Sequence, residues 1–160
     1  MPTASATKRG DMAEVALRDY LVEINTLIER NSLDTAIQHC RHILGVHPKY
    51  VEVYRLLGKA LLEKEAYDDA ADVFQRVLSV DPEDFVARVG LSIIAERRDQ
   101  LDKAIYQMER AYDLVPHNDV IQGELRHLYA RRDGDAPSRL TLTRGAVARL
   151  YAQGDLYAAA

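Results

Sequence analysis

A chain of 160 residues with 48% hydrophobic and 29% charged residues is too apolar to stay disordered and long enough to bury a core. Its formal charge of −4 and pI near 5.7, with Lys and Arg interspersed among Asp and Glu, supply no basic stripe, so a nucleic-acid partner is not expected. Cys40 is the single cysteine, which excludes an intramolecular disulfide; no apolar run approaches the ~18 residues of a membrane span, and the opening MPTASATKRG lacks the apolar centre of a secretory signal. The expectation is a cytoplasmic protein with no membrane partner.

Residues 1–10 are small, polar and basic and read as a disordered N-terminal arm. Asp11 then opens a helix, with Glu14 completing a capping box, and Val15, Tyr20, Leu21, Ile24, Leu27 and Ile28 carry it to about Arg30. Asn31 and Ser32 make a turn. Residues 33–44 form the partner helix, with Gly45 as its C-terminal cap.

After the linker VHPKY comes a second pair of helices. Tyr54, Leu57, Leu61 and Leu62 mark one apolar face, and Tyr67, Ala70, Val73, Phe74, Val77 and Leu78 mark the other, at the three- and four-residue spacing of a helix. Gly58, Ala70 and Ala71 are small enough for two helices to approach closely. The linker VDPED ends at Asp84, a good N-cap. Phe85, Val86, Val89, Leu91, Ile93 and Ile94 then make an unusually apolar helix ending near Arg98, and residues 101–114 supply its mate through Ala104, Ile105, Met108 and Ala111. Asn118 or Asp119 opens a further helix through Ile121, Leu125, Leu128 and Tyr129.

The pattern breaks at RRDGDAPSR, a turn-rich loop. The stretch LTLTRGAVARLYAQGDLYAAA looks like the first helix of another unit running into its turn at Gln153, Gly154 and Asp155, with Ala159 matching Ala36, Ala70 and Ala104 a few residues into a further helix. On that reading the chain is the N-terminal piece of a longer protein; the alternative has residues 138–152 filling the missing helix's place and capping the stack.

Pro48, Pro82 and Pro116 stand 34 residues apart, and the same step aligns Leu33, Tyr67 and Leu101; Asp34, Asp68 and Asp102; Ala36, Ala70 and Ala104; and Cys40, Phe74 and Met108. A two-helix unit of this length cannot bury both apolar faces alone, so a constant step of 34 points to stacked units. At these residues the chain resembles the tetratricopeptide repeat family, whose W-x2-L-G-x2-Y…A-x3-F…P pattern is met by Tyr54, Leu57, Gly58, Leu61, Ala70, Phe74 and Pro82. Tyr54 replaces the Trp and Leu61 the Tyr, each keeping a bulky apolar group. The resemblance spans residues 17–131 and implies an all-α fold, a right-handed α-solenoid of stacked antiparallel helix pairs over 11–160. Its repeats would be 17–50, 51–84 and 85–118, with a partial repeat at 119–131 and another at 138–160.

Enzymatic chemistry finds no constellation. His39, Cys40 and His42 lie close in sequence, but His39 and Cys40 diverge by about 100° on a helix, and Cys40 aligns with the apolar Phe74 and Met108. A core thiol with solvated histidines is expected at His39, His42, His47, His117 and His127, and no metal. Asp133 and Asp135 bracket a glycine without the other ligands of a calcium loop. No phosphate loop, dinucleotide fingerprint or nucleophile elbow is present, so no cofactor is expected. RDQLDK and EKEAYDD read as inter-helix turns and solvated faces.

Binding is the expected activity. In the resembled family the first helix of each pair lines a concave groove, which here implies Arg18, Leu21, Asn25 and Ile28, then Glu52, Arg55, Lys59 and Leu62, then Val86, Val89, Ile93 and Arg97, and last Val120, Gly123, His127 and Arg131. Such a lining, charged in its centre with an apolar strip from the third repeat, suits a peptide or helix of another protein; self-association into a homo-oligomer through open stack ends is the alternative. Family members that clamp chaperone C-terminal carboxylates would need matching side chains at Leu21, Asn25, Leu56, Val86 and Gly90, and only Asn25 agrees, so that specificity is not expected.

Overall fold

The structure, a computed structural model, describes residues 4–153, with side chains over 16–152. Eight helices account for its regular structure: α1 (Ala4–Glu29), α2 (Leu33–Val46), α3 (Val51–Glu63), α4 (Tyr67–Val80), α5 (Phe85–Arg97), α6 (Leu101–Leu114), α7 (Asp119–Asp133) and α8 (Arg144–Gln153). Contacts divide the chain into two compact units, Met1–Ala70 and Ala71–Ala160, with α4 running through the boundary.

In the first unit α1 packs on both α2 and α3, and α2 on α3. Ile24 and Ile28 of α1, Ala36, Ile37, Cys40 and Ile43 of α2, and Val53, Leu57, Ala60 and Leu61 of α3 are buried together in that unit's interior. In the second unit α6 packs between α5 and α7. Ala104, Ile105, Met108, Ala111 and Tyr112 meet Ile121, Leu125 and Leu128 in one cluster.

The turns repeat with the sequence step. Asn31, Glu65 and Asp99, each 34 residues after the last, all hold positive φ, at 60°, 62° and 56°. Around each, the following amide reaches back to close the helix: Ser32 N–H to Leu27 O (2.8 Å), Ala66 N–H to Leu61 O (2.9 Å) and Gln100 N–H to Ala95 O (2.9 Å). Together with the shorter bonds Asn31 to Ile28, Glu65 to Leu62 and Asp99 to Glu96, these are Schellman closures made without glycine. α7 ends differently. Its left-handed residue is Gly134 (φ 82°), one place late on the 34-residue step, and a single bond to Ala130 O closes it.

The loops between pairs repeat as well. The carbonyls of Pro48, Pro82 and Pro116 accept hydrogen bonds from Tyr54 Oη (3.0 Å), Arg88 Nη2 (2.9 Å) and Gln122 Nε2 (2.8 Å). Three chemically different side chains thus do one job at one repeat position. Asp84 and Asn118 cap α5 and α7 by accepting from Ala87 N–H (2.7 Å) and Ile121 N–H (3.1 Å), as the sequence leads one to expect.

Several expectations are corrected. α1 starts at Ala4, so Asp11 lies inside it instead of capping it, and residues 4–10, expected as an arm, are helical; Ala, Lys and Arg there are good helix formers. Gly45 sits within α2, whose cap is His47 at φ −125°, because the chain leaves the helix toward Pro48 through an extended residue. Arg131, Arg132 and Asp133 belong to α7, so the loop begins at Gly134. His39 is half-buried, its imidazole bonded to Tyr20 Oη and edge-on to that ring at 5.4 Å, so it is not a solvated histidine. The turn expected at Gly154 and Asp155, and the match at Ala159, lie outside the described residues.

No second helix in step follows α7. An irregular strap, 135–143, with bends at Ser138 and Arg139, lays Leu140 and Leu142 against the α6–α7 cluster, and α8 buries Ala146. Thr143 anchors the start of α8: its N–H donates to Asp113 Oδ1 (2.9 Å) and its hydroxyl to the other carboxylate oxygen, while Thr143 Oγ1 caps Ala146 N–H (3.3 Å). The Asp113 side chain is wholly covered (0% exposed), with Arg110 Nη1 at 3.9 Å. Arg149 reaches Glu83 (2.9 Å). Leu140 and Leu142 of the strap therefore lie on the α6–α7 cluster, with Thr143 tied to α6, where a full helical mate would otherwise stand.

One close approach in the second unit was not foreseen. A Cβ placed on Gly90 would lie 2.3 Å from the Phe74 ring, and Phe74 is buried (2% exposed). One repeat earlier the aligned residues are Cys40 and Leu56, so the sequence step carries a smaller residue where Phe74 stands and a larger one where Gly90 stands.

Two outcomes follow. Phe74→Ala is expected to cost about 3–5 kcal/mol and Gly90→Ala about 1–3 kcal/mol; because both act on one space, the double variant should lose less than the sum in urea unfolding. Asp113→Ala should cost roughly 1–3 kcal/mol, since it removes both of Thr143's acceptors. Hydrogen exchange should then rise over 135–152, and tryptic cleavage at Arg139 and Arg144 accelerate, while α6 and α7 stay protected.

Candidate partner-binding faces

The residues expected to line a groove lie on α1, α3, α5 and α7, and all but Ile28 keep some exposed surface; Ile28 is buried (5% exposed) in the core. The structure brings them together within each unit in contrasting ways. In the first unit they form a polar strip that is already bonded to itself. Lys59 Nζ donates to Asn25 Oδ1 (2.9 Å), and Asn25 Nδ2 donates to Glu29 Oε1 (2.6 Å). Asn25 and Lys59 are one repeat step apart, so their meeting follows from α1 and α3 lying side by side. Arg55 pairs with Glu52 on its own helix (2.8 Å). Leu21 and Leu62 are half-buried and Arg18 exposed.

In the second unit the strip is apolar at one end and charged at the other. Val86 is 38% exposed, Val89 and Ile93 are half-buried, and Arg97 is exposed. Val89 also packs against the α6–α7 cluster, so it is part core and only part surface. On α7, Val120 is 73% exposed, Gly123 is open, and His127 and Arg131 both turn toward Glu96 of α5, at 3.6 and 2.5 Å. Arg131 also reaches Asp99 (3.7 Å). Glu96 was missed by the sequence reading, although it neighbours Arg97 and lies within reach of the aligned Arg131. Its role needed α5 and α7 to be placed in space.

Cys40 is buried, and burial pushes its thiol up to about 11, so it stays protonated near neutral pH. Burial and the Glu109 carboxylate raise the Tyr129 phenol, whose hydroxyl donates to Glu109. Arg132 holds the Asp133 carboxyl below its usual range. Among the described residues no three His, Cys, Asp or Glu side chains are placed to hold a metal ion, and no described helix is long and apolar enough to cross a membrane.

The repeated turns, loops and buried small residues are what a tetratricopeptide repeat requires, and the model of that repeat matches residues 21–84 and again 55–119. The chain belongs to the tetratricopeptide repeat family. Its fold class is accordingly the all-α solenoid of antiparallel helix pairs. It is 31% identical over 64 residues to the small glutamine-rich tetratricopeptide repeat-containing protein 2 of Mycosarcoma maydis, covering 40% of this chain and 18% of that protein. It is 26% identical over 83 residues to the cell division cycle protein 27 homolog of Caenorhabditis elegans, covering 52% of this chain and 10% of that one. The chain thus spans less than a fifth of the curated relatives it matches. Among solved structures, MamA from Desulfovibrio magneticus RS-1 is similar, with a TM-score of 0.63 at 21% identity over 85% of this chain and 72% of that one. Naa15/Naa10 bound to HypK-THB gives a TM-score of 0.65 at 15% identity, over 87% of this chain and 20% of that one. At these identities the likeness concerns the fold.

The tetratricopeptide spacing that aligns Asn25 with Lys59 makes their bond measurable. Asn25→Ala and Lys59→Ala should each destabilise, with a coupling of about 1 kcal/mol in a double-mutant cycle followed by urea unfolding.

Proposed function

We propose that this chain is a cytoplasmic protein-interaction scaffold or adaptor, whose first-helix faces take a peptide or helix of another protein. The observation that carries the reading is the α5 row: Val86, Val89 and Ile93 recur at three- and four-residue spacing, Val86 keeps 38% of its surface in water, and Arg97 follows one turn on. Burying such a row against an apolar partner gains about 25 cal/mol per Å², and the exposed Arg97 gives an acidic group of the partner a place to sit. Membership of the repeat family supports the reading, as does the likeness to Naa15, whose solved structure is of a complex with Naa10 and HypK. The working repeat boundaries are 17–50, 51–84 and 85–118, with 119–131 as a partial repeat.

Val86→Asp is the variant of choice, because Val89 is shared with the core and its replacement would damage both. Partners captured from the source cells by the wild-type chain are expected to be lost with Val86→Asp while circular dichroism and melting are unchanged. Retention of every partner would remove the α5 face from the site. Light scattering over a concentration series gives the companion measurement: growth in mass that Val86→Asp abolishes would make a second copy the occupant.

A further inference from the structure

The first unit carries another concave surface, on the side of α1 that the groove positions do not use. α1 has 26 residues and α2 has 14, so at 1.5 Å per residue α1 necessarily outruns its mate. Where it passes the α2–α3 connection, a cleft of about 960 Å³ opens, lined by Ala16, Leu17, Asp19, Tyr20 and Glu23 of α1 with His47 and Tyr50 opposite.

Ala16, Asp19, Tyr20 and Glu23 fall on one stripe of the helix. The Tyr20 hydroxyl is already bonded to His39, so the ring offers the cleft an apolar and π surface. Asp19 and Glu23 are exposed, stand at i and i+4 where like charges weaken a helix, and have no hydrogen-bond or ion-pair partner among the described residues. Among the described residues no Lys or Arg lines the cleft. Two uncompensated carboxylates beside Leu17 and two tyrosine rings form a surface that an anion would avoid and that a cation with an apolar neighbour would complete.

We propose that this cleft docks a cationic, apolar-anchored peptide segment of a partner protein, separate from the groove face. An aliphatic side chain seats against Leu17, Tyr20 and Tyr50, and Lys or Arg side chains one helical turn away reach Asp19 and Glu23, with the tyrosine faces adding cation–π attraction.

The test uses the full chain and a fluorescein-labelled amphipathic Leu/Lys peptide, read by anisotropy, with a Leu/Glu peptide as its counterpart. Saturable binding of the Leu/Lys peptide is expected, weakened about fivefold in the double variant Asp19→Asn/Glu23→Gln, as the loss of two exposed ion pairs implies. That variant relieves a repulsion and should fold at least as well as the wild type. Asp72→Asn, an exposed acid on α4, and Val86→Asp, on the groove face, are expected to bind unchanged. The proposal is overturned if the Leu/Lys peptide does not saturate, if the Leu/Glu peptide binds equally, or if Asp72→Asn loses as much as the double variant, which would mean net charge alone attracts it. Loss with Val86→Asp alone would place the peptide on the groove instead.

Discussion

Each helix pair in this chain depends on one residue held at positive φ. An α-helix can reverse into an antiparallel neighbour only if its last carbonyls find donors, and the left-handed residue turns the following amide back onto them. Asn31, Glu65 and Asp99 do this at 60°, 62° and 56°, and the next helix begins almost at once. Its first inward residue is then Ala36, Ala70 or Ala104, each fully buried. Their amides donate to Ser32, Ala66 and Gln100 carbonyls, so the turn and the close helix approach are one construction. A larger side chain at those alanines would part the helices that the turn has just brought together. Glutamate is a costly occupant of left-handed space, and it persists at Glu65 because the two bonds around it fix the conformation.

What could be read in advance was whatever repeats by residue type. The step of 34 aligns prolines, alanines and the Cys40, Phe74 and Met108 series, and those positions are buried or at loops as expected. What escaped reading repeats by geometry while the residue type changes. Asn31 and Asp99 are residue types that tolerate left-handed space, but Glu65 between them is not, so the three do not read as one series; Tyr54, Arg88 and Gln122 share only a donor long enough to reach a proline carbonyl. Gly90 was hidden for a related reason: its meaning lies in the size of Phe74, a partner on the preceding helix. The strap has no period at all. Its place is set by two leucines and by Asp113, whose buried carboxylate has no counterpart in the other repeats to align with.

The same distinction separates the groove positions. Repeat arithmetic places Arg18 through Arg131 on outward helix faces but says nothing of what each side chain already holds. Lys59 is committed to Asn25, and Arg55 to Glu52, so a ligand on the first unit's strip must replace bonds before it gains any. The exposed Arg55–Glu52 pair is worth little, whereas the part-buried Lys59–Asn25 bond is worth about 1 kcal/mol and has to be matched by the ligand. The α5 row is different in kind. Val86 has no bond to surrender, and covering it returns free energy in proportion to area. On the proposed reading, a ligand of the second unit gains its affinity from α5, whereas a ligand of the first unit's strip has to satisfy Asn25 and Lys59 as well as each satisfies the other.

The strap has a related consequence for how the second unit ends. Without the strap, the part of the α6–α7 cluster that Leu140 and Leu142 pack against would face water, and an uncovered apolar solenoid face invites association. A full helix would cover it with many contacts distributed along its length. Here Leu140 and Leu142 do so from an irregular segment, and the crevice of about 300 Å³ between Tyr129, Asp133 and Arg139 leaves much of the span loosely filled. Such a cover depends on its two ends. Gly134 turns the chain at one, where its positive φ is easy, and the bonds from Thr143 to Asp113 fix the other. A carboxylate without exposed surface is tolerable only while its acceptors are filled, so Asp113 holds Thr143 in place as firmly as Thr143 holds the strap. The covering of α7 is therefore governed by a polar contact at the far end of α6, outside the apolar surface it protects.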